Sequence, residues 1–362
     1  MKWTISSILI FILLSTNFIA AREASEKLTL DQCLRLASKN NPSLRQSAIA
    51  LDQARLSKKQ SYSNLYPSAG ISAGTSTSDN SQPGSVWQSQ WSIQGSVEQN
   101  IYRPGLYSGI QQAKVNERIS EISNEDLQTQ IRLSVENDYY QILTSYALIA
   151  VYNENIQTAL ENLEKIRMMY KVGARTESDV LKAEVQKGDF EALLIFEQER
   201  LQNFKRSLNT IMGRSPEINF EVEIIPDEIE NIPDIEAAKT ILLEKNLEYQ
   251  LLKQNYKSRE IALKISREAY LPSLSGYYSH SESSNWADNP TLTSNQVGIR
   301  ASIELFSGFY KNQDVQKEKL NVEKARIELE AKERELTAQL TNLYASLQTY
   351  NNLIAIDDKN VE

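Results

Sequence analysis

Residues 135–173 read VENDYYQILTSYALIAVYNENIQTALENLEKIRMMYKVG. Val135, Ile142, Ile149, Ile156, Leu163 and Tyr170 recur at every seventh position, and Tyr139, Tyr146 and Leu160 follow three of them by four. An apolar repeat of seven sustained this far is the packing pattern of a coiled coil. It sits in a longer stretch, residues 106–212, with no proline and with glycine only at Gly109, Gly173 and Gly188. At ~1.5 Å per residue, the run before Gly173 predicts a helix of about 93 Å and the run after it one of about 58 Å. An ordinary globular helix has only ~11–12 residues. In the returning arm Leu194, Leu201 and Leu208 keep the period, with Phe190, Phe204 and Ile211 beside them. Gly173 followed by Thr176, Ser178 and Asp179 reads as a helix ending at glycine and a capped restart. The stretch is therefore an antiparallel helical hairpin with its tip near Gly173.

The N-terminus carries an address. Lys2, an apolar core from Ile8 to Leu14, and the small residues Ala20 and Ala21 make residues 1–21 a secretory signal. The apolar run is too short for a membrane anchor, and Arg22 and Glu23 fit a mature start. No later stretch reaches the ~20 apolar residues of a spanning helix. An exported chain embedded in a membrane would then have to use β-strands.

Composition excludes several classes. A net charge of -8, without a basic patch interleaved with aromatics, argues against nucleic-acid binding. With 41% hydrophobic residues the chain can fold. Cys33 is the only cysteine, so no intrachain disulfide forms. It lies on a short amphipathic helix, where a small buried side chain is expected, too far from the signal core to be lipidated. His280 is the only histidine, which removes histidine metal clusters and Ser-His-Asp catalysis. It follows Tyr277, Tyr278 and Ser279 and reads as a solvated loop residue. Gly70, Gly74 and Gly84 lack phosphate-loop spacing and read as hairpin glycines. The Glu/Lys-rich run 317–335 reads as a solvated helix face. The expectation is a chain that is not an enzyme and holds no metal or cofactor.

Taken in order, the mature chain begins with a short helix over 30–39, then Asn40, Asn41 and Pro42, where proline opens a second helix that runs to Tyr66. Leu44, Ala48, Leu51, Ala54 and Arg55 mark one face of it, and Pro67 stops it. The period then changes to two. Ala69, Ile71 and Ala73 alternate with Gly70, Ser72 and Gly74. Trp87, Trp91, Ile93 and Val97 alternate with Gln88, Gln90, Ser92, Gln94, Ser96 and Glu98. With a polar loop at 75–85 between them, these predict a β-hairpin with strands at 69–75 and 87–101. Strands of about ten residues with apolar-out, polar-in alternation and tryptophans suit a membrane barrel wall, with Trp87, Trp91, Ile93 and Val97 toward lipid. A soluble sheet with one buried face would alternate in the same way.

Arg103, Pro104 and Gly105 turn the strand into the long helix. The helix before the β-hairpin (~38 Å) and the arm after Gly173 (~58 Å) together match the ~93 Å of the unbroken helix, so the two are expected to stack end to end alongside it. Residues 214–234, with Pro216, Pro226, Pro233, Glu217, Glu221, Glu223, Asp227, Glu228 and Glu230, form an acidic linker around the outside of the rods. Phe220, Val222 and Ile224 mark one short strand in it.

The chain then repeats itself. Asn246 stands to Asn41 as Pro272 stands to Pro67. Leu274, Gly276 and Tyr278 begin a strand predicted at 274–280. Val297, Ile299, Ala301 and Ile303 alternate with Gly298, Arg300, Ser302 and Glu304 in one at 297–305, which puts Val297 and Ile299 on the lipid side. Gly308 echoes Gly105, and Tyr344, Leu347 and Tyr350 echo Tyr140, Leu143 and Tyr146. Agreement in order, spacing and punctuation marks an internal duplication. The division is signal 1–21, first repeat 22–213, linker 214–234 and second repeat 235–362. The second half stops within a predicted helix, near the counterpart of Thr158. By symmetry a second tip and return arm of about 60 residues are expected beyond it.

LTLDQCLRLASKNNP at residues 28–42, Tyr66-Pro67-Ser68 after a helix, and YKVGARTESDVLKAE at 170–184 resemble the TolC family of outer-membrane efflux proteins. The resemblance covers nearly all of the mature chain. It implies a mainly α fold with β-hairpins: a homotrimer in which each subunit gives four strands to one transmembrane β-barrel and its helices to a coiled-coil tunnel in the periplasm. It also implies that the tip, with Val172, Gly173, Thr176, Asp179 and Val180, lies at the tunnel entrance and meets a periplasmic adaptor. The expected function is a passive exit duct for efflux or type I secretion, powered by an inner-membrane transporter, with outer-membrane lipid as a further partner. Asp179 could cap the return helix or also belong to a ring that closes the tunnel. A soluble adaptor or a structural coiled-coil protein is the alternative. An adaptor carries one hairpin between two lipoyl-like halves, whereas this chain has two copies of helix, β-hairpin and helix.

Overall fold

The structure, a computed structural model, describes residues 26–78, 87–224, 234–285 and 290–361. Its first half runs β1 (Glu26–Leu28), α1 (Leu30–Asn40), α2 (Pro42–Ser63), β2 (Ser68–Ser78), β3 (Gln88–Tyr102), α3 (Leu106–Lys171), α4 (Glu177–Ile211) and β4 (Phe220–Val222). The second runs α5 (Ile235–Lys245), α6 (Leu247–Glu268), β5 (Ser273–Asn285), β6 (Leu292–Ser302) and α7 (Tyr310–Val361). The segment read as a signal, Gly84, and Pro226, Asp227, Glu228, Glu230 and Pro233 lie outside the described residues.

The duplication is visible in element lengths. A shift of 205 residues carries Leu30 to Ile235, Pro42 to Leu247 and Ser68 to Ser273. α1 and α5 have 11 residues each, and α2 and α6 have 22 each. The pivot between the short and long helix is an asparagine in both halves. Asn41 Oδ1 accepts from the Ser43 and Leu44 amides (2.9 and 3.2 Å), and Asn246 Oδ1 accepts from the Tyr249 amide (2.8 Å). Each asparagine amide in turn donates to a carbonyl of the preceding helix, Ala37 or Leu242. One residue thus closes one helix and caps the next.

The chain divides into two compact units, with boundaries inside α2 and inside α3. One unit comprises residues 26–44 and 128–224 of the described chain. Here the heptad residues Val135, Tyr139 and Ile142 pack with Leu201, Leu208 and Met212, and with Leu28, Cys33 and Ala37. Ser145 Oγ donates to Glu197 Oε1 (2.6 Å), and Arg167 pairs with Glu184 (2.5 Å), which sets α3 and α4 antiparallel. Within the linker, β4 pairs in parallel with β1, an unforeseen strand, and Phe220 and Val222 are buried. The Tyr139 hydroxyl joins the two strands through the Leu28 (3.1 Å) and Glu223 (2.7 Å) carbonyls. A three-residue strand has too little pattern to read, and only its pairing with β4 defines it.

The other unit comprises residues 45–127 and 234–361 of the described chain. Its sheet has the order β2-β3-β5-β6, antiparallel throughout. α6 and α7 run side by side, tied by Glu248–Lys332 (2.8 Å), and Lys58 pairs with Glu117 between α2 and α3. Several boundaries differ from expectation. α2 ends at Ser63, three residues before Tyr66. β2 continues through Ser78, so the first residues of the expected polar loop are strand. β5 continues to Asn285, which puts His280 within a strand, not a loop. β6 starts at Leu292 and ends at Ser302, leaving Ile303 and Leu305 outside it. The partner decides each end. Ser302 faces Ser273, the first residue of β5, so the ladder has nothing further to pair with.

Candidate functional site

The α3–α4 turn is built from backbone conformation upward. Gly173 has φ 76, in the left-handed region that side chains avoid. Its amide donates to Tyr170 (2.9 Å) and the Ala174 amide to Met169 (2.8 Å), the paired bonds that close a helix at glycine. Thr176 then caps α4. Its hydroxyl accepts from the Asp179 amide (3.3 Å), and Asp179 Oδ2 accepts from the Thr176 amide and hydroxyl (3.0 Å each). These bonds to Thr176, backbone first, hold the Asp179 carboxyl below its ordinary pKa. Val172 is 79% exposed while Val180 is half-buried, and Met168, Leu181 and Val185 are exposed around the turn. The structure thus brings Val172, Gly173, Thr176, Asp179 and Val180 together in one turn.

A second glycine of the same kind escaped the sequence reading. Gly213 has φ 69 and closes α4 with the same pair of bonds, Gly213 to Thr210 and Arg214 to Asn209. A β-carbon there would meet the Asn40 carbonyl oxygen at 2.6 Å.

The sheet has two chemically different faces. The register aligns Val97 with Tyr278 and Tyr278 with Val297, and aligns Ile93 with Ala73. Alternation therefore puts Ile71, Trp91, Ile93, Val97, Val297 and Ile299 on one face. Ile71, Val297 and Ile299 are 85%, 83% and 72% exposed, apolar side chains that nothing among the described residues covers. Trp87 lies one residue before β3 and is also exposed. One polar cluster interrupts this face: His280 Nδ1 meets Asn295 Oδ1 (2.8 Å), and the Tyr278 hydroxyl donates to the same oxygen (3.2 Å). Glu282 lies 3.6 Å from His280 Nε2. The opposite face carries Gln90, Gln94, Gln296 and serines.

Pro67 and Pro272 each stand immediately before a strand, β2 and β5. Pro104 and Gly105 form the turn into α3, with Gly105 at φ 78. At the second turn Gly308 (φ 61) is joined by Phe309 (φ 66), a non-glycine residue in the left-handed region. Unforeseen is Glu268. Its carboxylate accepts from the Gly105 amide (3.1 Å) and the Ser108 hydroxyl (2.8 Å), so the second half caps the start of α3 in the first. A cap between residues this far apart in sequence leaves no local pattern.

Among the described residues no helix is long and apolar enough to cross a membrane, and no cluster of metal-ligating side chains occurs. The sheet, with its uncovered apolar face, lies in the same compact unit as the paired helices α6 and α7. The family model of the outer membrane efflux proteins matches residues 33–214 and 240–362, and the chain belongs to that family. Membership places it at the outer membrane and among channels rather than enzymes. Solved structures show the same fold: CusC at 14% identity and TM-score 0.78, with 91% of this chain and 78% of that one covered. VceC of Vibrio cholerae matches at 16% and 0.77 (91% and 81% covered), and the CmeC channel of Campylobacter jejuni at 19% and 0.73 (91% and 76%). A comparison with curated proteins found no match.

Proposed function

We propose that three copies of this chain close one barrel in the outer membrane and continue as a helical tunnel in the periplasm, a passive exit duct for efflux or type I secretion. The sheet carries this reading. Its four strands are too few for a pore, since small barrels need about eight. Its edge strands β2 and β6 have 11 residues each and run in opposite directions, so one copy's β6 can continue the antiparallel ladder onto the next copy's β2. Three copies give twelve strands, with Trp91, Ile93, Val97, Val297 and Ile299 toward lipid and Trp87 at its margin. Residues 1–21 direct export, and the repeats 22–213 and 235–362 each supply one helix, β-hairpin and long helix, joined through 214–234.

Val172, Gly173, Thr176, Asp179 and Val180 form the periplasmic entrance. The exposed apolar side chains around them offer a docking face for an adaptor. The transport energy comes from an inner-membrane transporter coupled through that adaptor. The test is extraction and reconstitution. The mature protein should resist salt and alkali, come out in detergent as a trimer by light scattering, and insert conducting channels into planar bilayers. A monomer released by alkali would overturn the duct and favour a peripheral rod.

A further inference from the structure

The polar face of the sheet is almost uncharged. Among the described residues of its four strands it carries two charged side chains, Glu98 on β3 and Arg300 on β6; serine, glycine, glutamine and asparagine make up most of the rest. Both are without an ion-pair partner among the described residues. Their placement is nonetheless specific. Glu98, Tyr277 and Gly298 stand in one row across β3, β5 and β6. The Tyr277 ring lies over Gly298, where a β-carbon would meet its hydroxyl oxygen at 3.0 Å. The Arg300 guanidinium then stacks on that ring, 4.8 Å from its centroid. The glycine makes room for the ring, and the ring gives the guanidinium a fixed seat without neutralising it.

Neighbouring strands leave both charges uncompensated. In the closed barrel proposed above, on which this inference rests, Arg300 lies between β5 of its own copy and β2 of the next. On the polar face β2 offers only serine and glycine. β5 puts Glu282 on the other face, with His280. The strand order then sets acid and base on every second strand all the way round. Two strand spacings are about 10 Å, close to the Debye length of ~10 Å at 0.1 M salt. Each charge feels its neighbours, yet each remains free to act on a passing ion.

We propose that Glu98 and Arg300 form a belt of alternating charge around the barrel lumen, and that this belt balances the ion selectivity of the duct. Removing either sign leaves a ring of the other. The test is the reversal potential of single channels in planar bilayers under a KCl gradient. It is run near 0.01 M, where screening extends to ~30 Å and the belt is least masked. Arg300→Gln should shift the potential toward cation preference and Glu98→Gln toward anion preference. The double variant should return close to the wild-type value, and Arg300→Lys should keep it. Trimeric channels of both single variants that show the wild-type potential, or that shift in the same direction, would overturn the belt. A wild-type protein that inserts no channel overturns the duct itself, and the belt with it.

Discussion

Gly173 and Gly213 share a backbone conformation but not a neighbourhood, and their alanine variants should separate the two costs. At Gly173 nothing lies within 4 Å of an added β-carbon, so the change costs only the left-handed backbone, about 1 kcal/mol. At Gly213 the Asn40 carbonyl must also be displaced, for about 2–4 kcal/mol in all. Chemical denaturation of the two variants should rank them in that order. Asp179 makes a second prediction at this scale. Its folded pKa is depressed by the Thr176 bonds, so it stabilises the first turn of α4 above the ordinary carboxylate range. That contribution is lost as pH falls below about 4. Asp179→Asn should melt lower than wild type at pH 7, and the difference should shrink below pH 4. If Asp179 is only a cap, single-channel conductance stays unchanged; raised conductance would assign it to a closing ring. Cys33 is fully buried, and burial raises its pKa to about 11. A thiol reagent at pH 7.5 should leave it unlabelled until denaturant is added.

At the scale of elements, the faces of the sheet give the sharpest test. Arginine at Ile93 or Ile299 should cost ~2–4 kcal/mol if these positions meet lipid near mid-depth. Arginine at Gln94, one residue from Ile93 and on the other face, should be tolerated. Trimer yield in detergent reads the difference, and equal yields would reverse or dissolve the assignment of faces. The alternation of Trp91, Ile93 and Val97 with glutamines was enough to find this face, and the heptads of α3 were enough to find the helical hairpin. Both are periodic patterns carried by one stretch of chain. Features set by a distant partner were not legible. β1 exists because β4 lies beside it, Glu268 caps a helix 160 residues upstream of it, and β6 ends where β5 begins. The reach of β5 was misread for the same reason: the strand was expected to end at His280, but the ladder from β3 and β6 carries it on to Asn285.

For the whole molecule, two repeats of one pattern supply one sheet. The repeat was legible because Asn41 and Asn246, and Pro67 and Pro272, keep the same offset. The division into compact units was not, since two of its boundaries fall inside helices α2 and α3, whose sequence shows no break there. The matched lengths of α2 and α6 have a mechanical meaning. A helix turns by ~100° per residue, so 22 residues complete about six revolutions in each. Helix length here works as an angular setting. Inserting one alanine into α6 should swing β5 by about a quarter-turn relative to the asparagine pivot and abolish assembly. Inserting four should misalign it by only ~40°. One or more residues added between β5 and β6, beyond the last paired rung, should leave assembly intact. Trimer yield across that series would show whether the chain counts residues in its helices more strictly than in the connections of its sheet.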